Sequence, residues 1–141
     1  LRARYEIQLE TYVKVLNIEA LTMVDMVYKD ILPAVSRYLR RLGETYSARK
    51  AILPNAPCAY ETETAERLSF LSDKIYALVG QLEENVASVK ALSDVTEKAN
   101  AFEASVLGVM KELRSYVDEA EGMVASDFWP YPSYGELLLG V

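Results

Sequence analysis

The chain has 141 residues, of which 51% are apolar and 26% are charged, and its formal net charge is −6. This size and balance are typical of one soluble domain with a hydrophobic core. The acidic charge argues against nucleic-acid binding, which needs a basic face. No apolar run approaches the roughly 20 residues of a membrane span.

Histidine is absent from the sequence, and Cys58 is its single cysteine. Without histidine, hydrolase triads, zinc sites and the di-iron sites of helical bundles all lack a required residue. A single cysteine cannot form an internal disulfide, which fits a reducing cytoplasm. We therefore expect a cytoplasmic chain with no catalytic residue, no metal ligand and no cofactor site of its own. The first residue is not Met, so we also expect the chain to be cut from something larger.

The first predicted element is a long helix from Tyr5 to about Leu32, because apolar residues recur on one face at helical spacing. These residues are Leu9, Tyr12 or Val13, Leu16, Ala20, Met23 or Val24, Val27 and Ile31. Pro33 lacks an N–H group and crowds the carbonyl of Lys29, which kinks or ends a helix. The apolar pattern stays in phase as far as Leu42, so a kinked but continuous helix is favoured over two separate helices. We expect Gly43 to weaken the far end and helix to resume to about Ile52.

A loop is predicted from Leu53 to Tyr60, where two prolines and an asparagine stop one helix and begin a turn. Cys58 lies in this loop. A nucleophilic cysteine needs a histidine or a similar activator, so we interpret Cys58 as a loop thiol without a catalytic role. Thr62 or Thr64 is the predicted N-cap of the next helix.

Two further helices are predicted, from Glu61 to Leu92 and from about Val95 to Phe128, with a turn at Ser93 and Asp94. Each carries a narrow apolar seam with alternating steps of three and four residues, a pattern typical of bundle helices. The seams are Leu68, Leu71, Ile75, Leu78, Leu82, Asn85, Val89 and Leu92, and then Ala99, Phe102, Val106, Val109, Leu113, Tyr116, Ala120 and Met123. Asp94 has the spacing of a capping box with the glutamate three residues later. Asn85 is polar on an apolar seam, and we expect it to fix the register of two helices that form an antiparallel hairpin.

The sequence therefore predicts an all-α fold, an antiparallel bundle of three long helices over residues 1–128. The first helix counts as two if Pro33 breaks it, which would make four. Gly80, Gly108 and Gly122 lie inside the hairpin helices, where they either weaken the helix or allow close helix approach. The acidic clusters near residues 84 and 120 lie mostly off the seams, so we expect them to face water.

The C-terminal tail, residues 129–141, differs from the helices before it. From Phe128 the sequence reads FWPYPSYGELLLGV, and its prolines and glycines cannot extend a helix. An exposed segment rich in aromatic residues and leucine is a liability unless it docks on a surface. It either folds back on its own bundle or packs on a domain outside this chain, and we favour the second. The candidate docking residues are Trp129, Tyr131, Tyr134, Leu137 and Leu138.

Four short blocks carry a resemblance to a known family. In chain order they are Arg4–Ile7, Asn17–Met23, Asp30–Ala34 and Trp129–Leu138, the last reading WPYPSYGELL. In this order and spacing they resemble the C-terminal region of type III glutamine synthetase, the long-subunit bacterial and cyanobacterial class. The last block is the most specific of the four, whereas residues 42–111 show only generic helical patterning.

The resemblance implies a parent enzyme that ligates ammonia to glutamate with ATP and magnesium or manganese, through a γ-glutamyl phosphate. It also implies a dodecamer of two stacked hexameric rings. The metal, nucleotide and glutamate sites of that family belong to a catalytic domain, which would precede Leu1. We therefore expect this chain to be a helical C-terminal domain with a structural or assembly role and no chemistry of its own. Its partners would be the catalytic domain of the same polypeptide and neighbouring subunits.

One alternative is a free-standing helical-bundle module for protein–protein interaction, since the apolar seams fit both hypotheses equally well. Another is an enzyme or metal protein that uses bundle carboxylates. The missing histidine and the off-seam position of the acids argue against this last hypothesis.

Overall fold

The computed structural model describes residues 2–132, and the side chains from residue 3 onward. Within this range the chain is all-helical, without a strand. Three long helical stretches cover residues 2–52, 59–90 and 95–123. The predicted all-α class with three long helices is confirmed. In the part of the chain that the structure describes, no helix combines the length and the apolar character that crossing a membrane requires.

The first helical stretch continues past Pro33 without a loop. It consists of α1 (Arg2–Met26), a π-helical segment (Val27–Ile31) and α2 (Leu32–Ile52). In the π segment the backbone N–H of Leu32 donates to the carbonyl of Val27, five residues back. This wider turn directly precedes Pro33, whose ring would crowd the carbonyl four residues before it in a regular helix. The π segment thus accommodates the proline while the helix continues.

The second helix, α3 (Ala59–Lys90), begins earlier than predicted. Its N-cap is Cys58, which has a left-handed backbone with φ of 50° and makes no side-chain cap. Thr62 and Thr64 lie inside α3, so the prediction that one of them caps the helix was wrong. The N–H of Thr62 already donates to the carbonyl of Cys58 at 3.0 Å, which places it in the first turn.

An ion pair closes the loop between α2 and α3. Arg49 on α2 donates to both carboxylate oxygens of Glu61 on α3, at 2.8 and 2.9 Å. The Glu61 carboxylate is buried, and the hydrogen bond from Arg49 lowers its pKa. Cys58 is buried beside this pair at 1% exposure. Both bonds come from the same guanidinium nitrogen, Nη1, and this charge-assisted contact joins the end of α2 to the start of α3.

The third helical stretch consists of α4 (Val95–Ala101), a second π segment (Phe102–Val106) and α5 (Leu107–Met123). The side chain of Asp94 accepts a hydrogen bond from the N–H of Glu97 at 3.1 Å, so the predicted cap is confirmed. The helix ends at Met123, whereas the sequence predicted an end at Phe128. At Val124 the backbone becomes extended, and a short 3-10 turn, Ser126–Phe128, follows. This change of direction lets the buried Val124 and the half-buried Phe128 pack on the core.

The predicted seams form the core between α3 and its neighbours. The α3 seam, which we define as Leu68, Leu71, Ile75, Leu78, Leu82 and Val89, is buried along its whole length. On the third stretch the buried seam passes through Met110, whereas the predicted Val109 is only half-buried. Asn85 donates through Nδ2 to the carbonyl of Ser105 at 2.7 Å, which joins α3 to the second π segment.

Candidate functional site

The acidic side chains do not form a metal centre in the described residues. No three histidine, cysteine, aspartate or glutamate side chains within residues 2–132 gather as metal ligands. Asp118 and Glu121 are exposed, and Glu119 is paired with Arg67 across α3 and α5, with one contact of 2.8 Å.

A groove of about 430 Å³ lies between α1 and α5, and we call it the α1–α5 groove. Its floor is formed by buried apolar side chains from both helical stretches, and its walls by half-buried ones. The floor residues are Val27, Ile31, Met110 and Leu113. The wall residues are Met23, Met26, Val117, Trp129 and Tyr131, and the rim residues are Ile18, Glu19, Thr22, Arg114, Asp118 and Glu121. An open apolar groove with a polar rim is the usual form of a docking surface.

Two residues of the tail close one end of this groove. Tyr131 donates through its hydroxyl to Asp30 Oδ2 at 2.7 Å, across 101 residues of sequence. Partial burial, and then this hydrogen bond, raise the pKa of Tyr131 to about 12. Trp129 lies beside Tyr131 in the lining. The tail therefore begins by folding back against the first helical stretch.

Phe128 anchors the segment that leads into the tail. Its ring packs edge-to-face on Tyr38, with ring centroids 5.3 Å apart, and the guanidinium of Arg41 lies 5.7 Å from its centroid. Aromatic pairs and cation–π contacts of this kind each contribute on the order of 1 kcal/mol. This anchor and the Tyr131 hydrogen bond hold the chain on both sides of Trp129.

The groove brings together three of the four sequence blocks that carry the family resemblance. Asn17–Met23 supplies part of the α1 wall and rim, Asp30–Ala34 supplies Ile31 and the partner of Tyr131, and the tail block supplies Trp129 and Tyr131. Sequence reasoning named Trp129 and Tyr131 as docking residues but did not place them beside α1. It also missed most of the α5 contribution, since apart from Leu113 the face that lines the groove lies beside the predicted seam. Of the other candidates, Tyr134, Leu137 and Leu138 lie outside the described residues.

A second apolar surface lies on the outer side of α1. Ile7, Val15, Ile18 and Leu21, which we call the α1 outer stripe, are between 41% and 63% exposed. At 3.6 residues per turn they lie opposite the buried face that contains Leu16 and Ala20. A surface helix of an isolated domain normally places polar residues there. α1 therefore carries apolar side chains on two opposite faces, although the outer stripe is interspersed with the exposed Thr11, Lys14 and Asp25. Ile18 joins the outer stripe to the rim of the groove.

Comparison with known proteins relates this chain to glutamine synthetases. Residues 1–50, which span α1, the first π segment and nearly all of α2, match the family model of the glutamine synthetase C-terminal domain. Over 139 residues, 99% of this chain, the sequence is 34% identical to a glutamine synthetase of Butyrivibrio fibrisolvens. It is 28% identical over 144 residues to a glutamine synthetase of Bacteroides fragilis, and 28% identical over 149 residues to a type-3 glutamine synthetase of Dictyostelium discoideum, in each case covering 98% of the chain.

The matches first define the class: a helical domain similar to the C-terminal domain of glutamine synthetases. The chain spans about one fifth of the length of these relatives, 19–20%. Because the relatives include a type-3 enzyme that aligns over nearly the whole chain, the resemblance to type III glutamine synthetase predicted from the four blocks is confirmed.

Proposed function

We propose that this chain is the C-terminal helical domain of a type III glutamine synthetase and that its role is structural. The parent would ligate ammonia to glutamate with ATP and magnesium or manganese, and would assemble in the cytoplasm as a dodecamer. The family resemblance supports assigning the ATP and metal sites to a catalytic domain upstream of this chain.

The observation that carries this proposal is the double-sided apolar character of α1. The helix belongs to the region that matches the family model, and its outer stripe has no covering element within the described residues. Four-fifths of the length of each relative lies outside this chain. We propose that the outer stripe packs on the catalytic domain of the same polypeptide or on a neighbouring subunit, since burial of such a stripe provides the main driving force for association.

The architecture proposed for the domain follows from pairs of contacts. The hydroxyl of Tyr28 donates to the carboxylate of Glu83 at 2.7 Å. Tyr38 lies later in the first stretch, and its hydroxyl forms a hydrogen bond with that of Tyr60, which lies earlier in α3. This inverse order supports an antiparallel arrangement of the first two helices, and we propose the same for α3 and α5. We also propose a kink at Pro33, a bundle over residues 1–128 and a separate tail over residues 129–141.

A pair of matched substitutions in the full-length protein tests the outer stripe. Ile18→Glu places a charge on the stripe, and Ile52→Glu makes the same change at a residue that is 79% exposed at the far end of α2. We expect I18E to reduce the oligomer mass measured by light scattering, while I52E leaves it unchanged. In the 141-residue chain both variants should unfold at nearly the same temperature as the parent. Full assembly of I18E with unchanged stability would contradict the proposal.

Deletion of residues 129–141 from the full-length protein tests the tail in the same assay. We expect weaker assembly or lower stability, because Trp129 and Tyr131 cover part of the groove. Unchanged assembly, stability and turnover would exclude a docking role for the tail.

The gene upstream of Leu1 separates this proposal from a free-standing interaction module. Several hundred upstream residues with histidine- and glutamate-bearing catalytic motifs are expected. A start codon at that point would instead favour the interaction module, whose partner would then be sought on the outer stripe.

A further inference from the structure

We propose that the α1–α5 groove is a docking site for an amphipathic helix of a separate partner protein, with apolar side chains on one face and lysine or arginine beside them. The groove and the outer stripe share Ile18 alone. The proposal therefore stands whether or not the outer stripe packs on a catalytic domain, and it assigns a second surface of this domain to a partner of different chemistry.

The shape of the groove favours a helical occupant. Its lining follows one face of each of two helices, from Ile18 to Ile31 on the first stretch and from Met110 to Glu121 on α5. At 1.5 Å per residue these walls are about 20 Å and about 16 Å long, which matches three turns of a helix. A long apolar trough between two helices is the surface that an amphipathic helix covers with residues at spacings of three and four.

The side chains in the groove are of the kinds that bind other proteins. Three of the four methionines in the chain, Met23, Met26 and Met110, line it. Methionine is unbranched and polarizable, so a surface rich in methionine adapts to the apolar side chains of a bound helix. Trp129 and Tyr131 add aromatic surface, which often dominates the free energy of association at protein interfaces.

The charges on the rim favour a basic partner. Glu19, Asp118 and Glu121 are exposed there, and Arg114 is the single cation among the described lining residues. None of these three carboxylates forms an ion pair within residues 2–132. Lysine or arginine beside the apolar face of a docked helix would lie near these carboxylates, whereas an acidic helix would be repelled.

A second copy of the chain is a poorer occupant. The chain has a net charge of −6, so two copies repel each other. The helix with a net positive charge is α2, and its exposed Arg37 and Arg40 lie beside Gly43 and Ser47, which offer little apolar surface. A helix that is both apolar and basic must therefore come from a different protein.

Titration of the 141-residue chain with two model peptides tests the proposal. Each peptide is a helix of about 15 residues with leucine along one face, and its other positions are lysine in one peptide and glutamate in the other. Neither contains tryptophan, so the fluorescence of Trp129, the single tryptophan of the chain, reports binding in the groove. We expect the lysine peptide to bind at least about tenfold more tightly. Equal affinities, or no change in fluorescence with either peptide, would overturn the proposal.

Two matched variants separate docking in the groove from general attraction between charges. Val117→Asp adds a negative charge on the groove wall, and Ser115→Asp adds the same charge at an exposed residue of α5 outside the lining. General attraction would strengthen binding of the lysine peptide equally in both. Docking instead predicts about tenfold weaker binding for V117D and no loss for S115D, because a charge on the wall loses solvation under the apolar face of the peptide.

Val117→Thr repeats this test with almost no change in volume, so it serves if thermal unfolding shows that V117D is not folded. We expect V117T to weaken binding of the lysine peptide by roughly threefold, since the hydroxyl is less favourable against leucine. Equal affinities of the wall variant and S115D would contradict docking in the groove.

Two other occupants would give different results. If the lysine peptide binds only after residues 133–141 are deleted, the chain's own tail fills the groove and the proposal is overturned. If light scattering shows that the chain alone forms a dimer that V117D dissociates and S115D does not, a second copy fills the groove and the proposal is likewise overturned.

Discussion

The α3 seam and the α1–α5 groove both use apolar side chains, but only the seam is closed. Leu71, Ile75 and Leu82 on the seam are fully buried, whereas Ile18 at the groove rim is 63% exposed. The α3 helix packs against both α2 and α5, whereas the groove between α1 and α5 is open and is lined by Trp129 and Tyr131. The comparison shows that apolar side chains are fully buried where helices pair along α3 and are partly exposed at the groove.

The largest expected difference in stability comes from truncating one side chain in the α3 seam and one in the α1–α5 groove. Leu82→Ala removes a fully buried leucine and should lower the free energy of unfolding by about 2–5 kcal/mol, through lost burial and a cavity. Val117→Ala in the open groove should cost less than about 1 kcal/mol, since the site is partly hydrated already. Urea denaturation of both variants measures the contrast. Equal losses would mean that the groove is as tightly packed as the seam.

A smaller effect is expected where the seam is polar. Asn85→Ala leaves the carbonyl of Ser105 without its donor between two helices, which should cost about 1–3 kcal/mol. Asn100→Ala is the control, because Asn100 is exposed on the same helical stretch as Ser105. Chemical denaturation compares the two. If Asn85→Ala were as stable as the parent, the predicted register-setting role of Asn85 would lose its energetic basis.

Tyr131, which lines the α1–α5 groove, makes the stability of the folded chain depend on alkaline pH. Its pKa is raised from 10.0 to about 12 in the folded chain, so the unfolded chain loses this proton first as the pH rises. The stability from this group is thus present below about pH 10 and is lost as the pH rises towards 12. Tyr131→Phe removes the hydrogen bond to Asp30, which should cost about 0.5–1.5 kcal/mol at neutral pH. The variant should also lose less stability than the parent across that alkaline range.

Tyr5→Phe serves as the control for the alkaline experiment, because Tyr5 is 57% exposed near the start of α1. Thermal unfolding followed by circular dichroism at several alkaline pH values measures how the stability of each variant changes with pH. If Tyr131→Phe and the parent lost stability equally as the pH rises, the hydrogen bond from Tyr131 to Asp30 would contribute nothing.

The smallest expected effect is a gain in stability, at Gly108. A Cβ added at Gly108 meets no atom within 4 Å beyond its own helix, so the close-approach explanation for this glycine does not hold. Gly108→Ala should stabilise the chain by about 0.5–1 kcal/mol through helix propensity alone. Differential scanning calorimetry on the 141-residue chain measures the gain. A loss of stability would reveal a neighbour on this face.

The periodicity of the sequence was sufficient to predict the helices and the buried face of each. A three–four step of apolar residues is a local pattern, and burying it requires only a helix with a partner. The capping residue Asp94 was predictable for the same reason, since the interaction spans three residues. The start of α3 was mispredicted because Cys58 adopts a left-handed backbone, which no local pattern in the loop indicates.

Tertiary structure alone decided how the surfaces are assembled. The sequence identified the blocks at both ends of the chain and the docking residues Trp129 and Tyr131, but the distance between those blocks in space follows from the packing of three helices. The hydrogen bond from Tyr131 to Asp30 spans 101 residues, and the α5 side of the groove lies beside the predicted seam. Sequence patterns record which face of a helix avoids water. Which two such faces leave a groove between them is set by the angles at which the helices pack, because those depend on the side chains of every helix in contact.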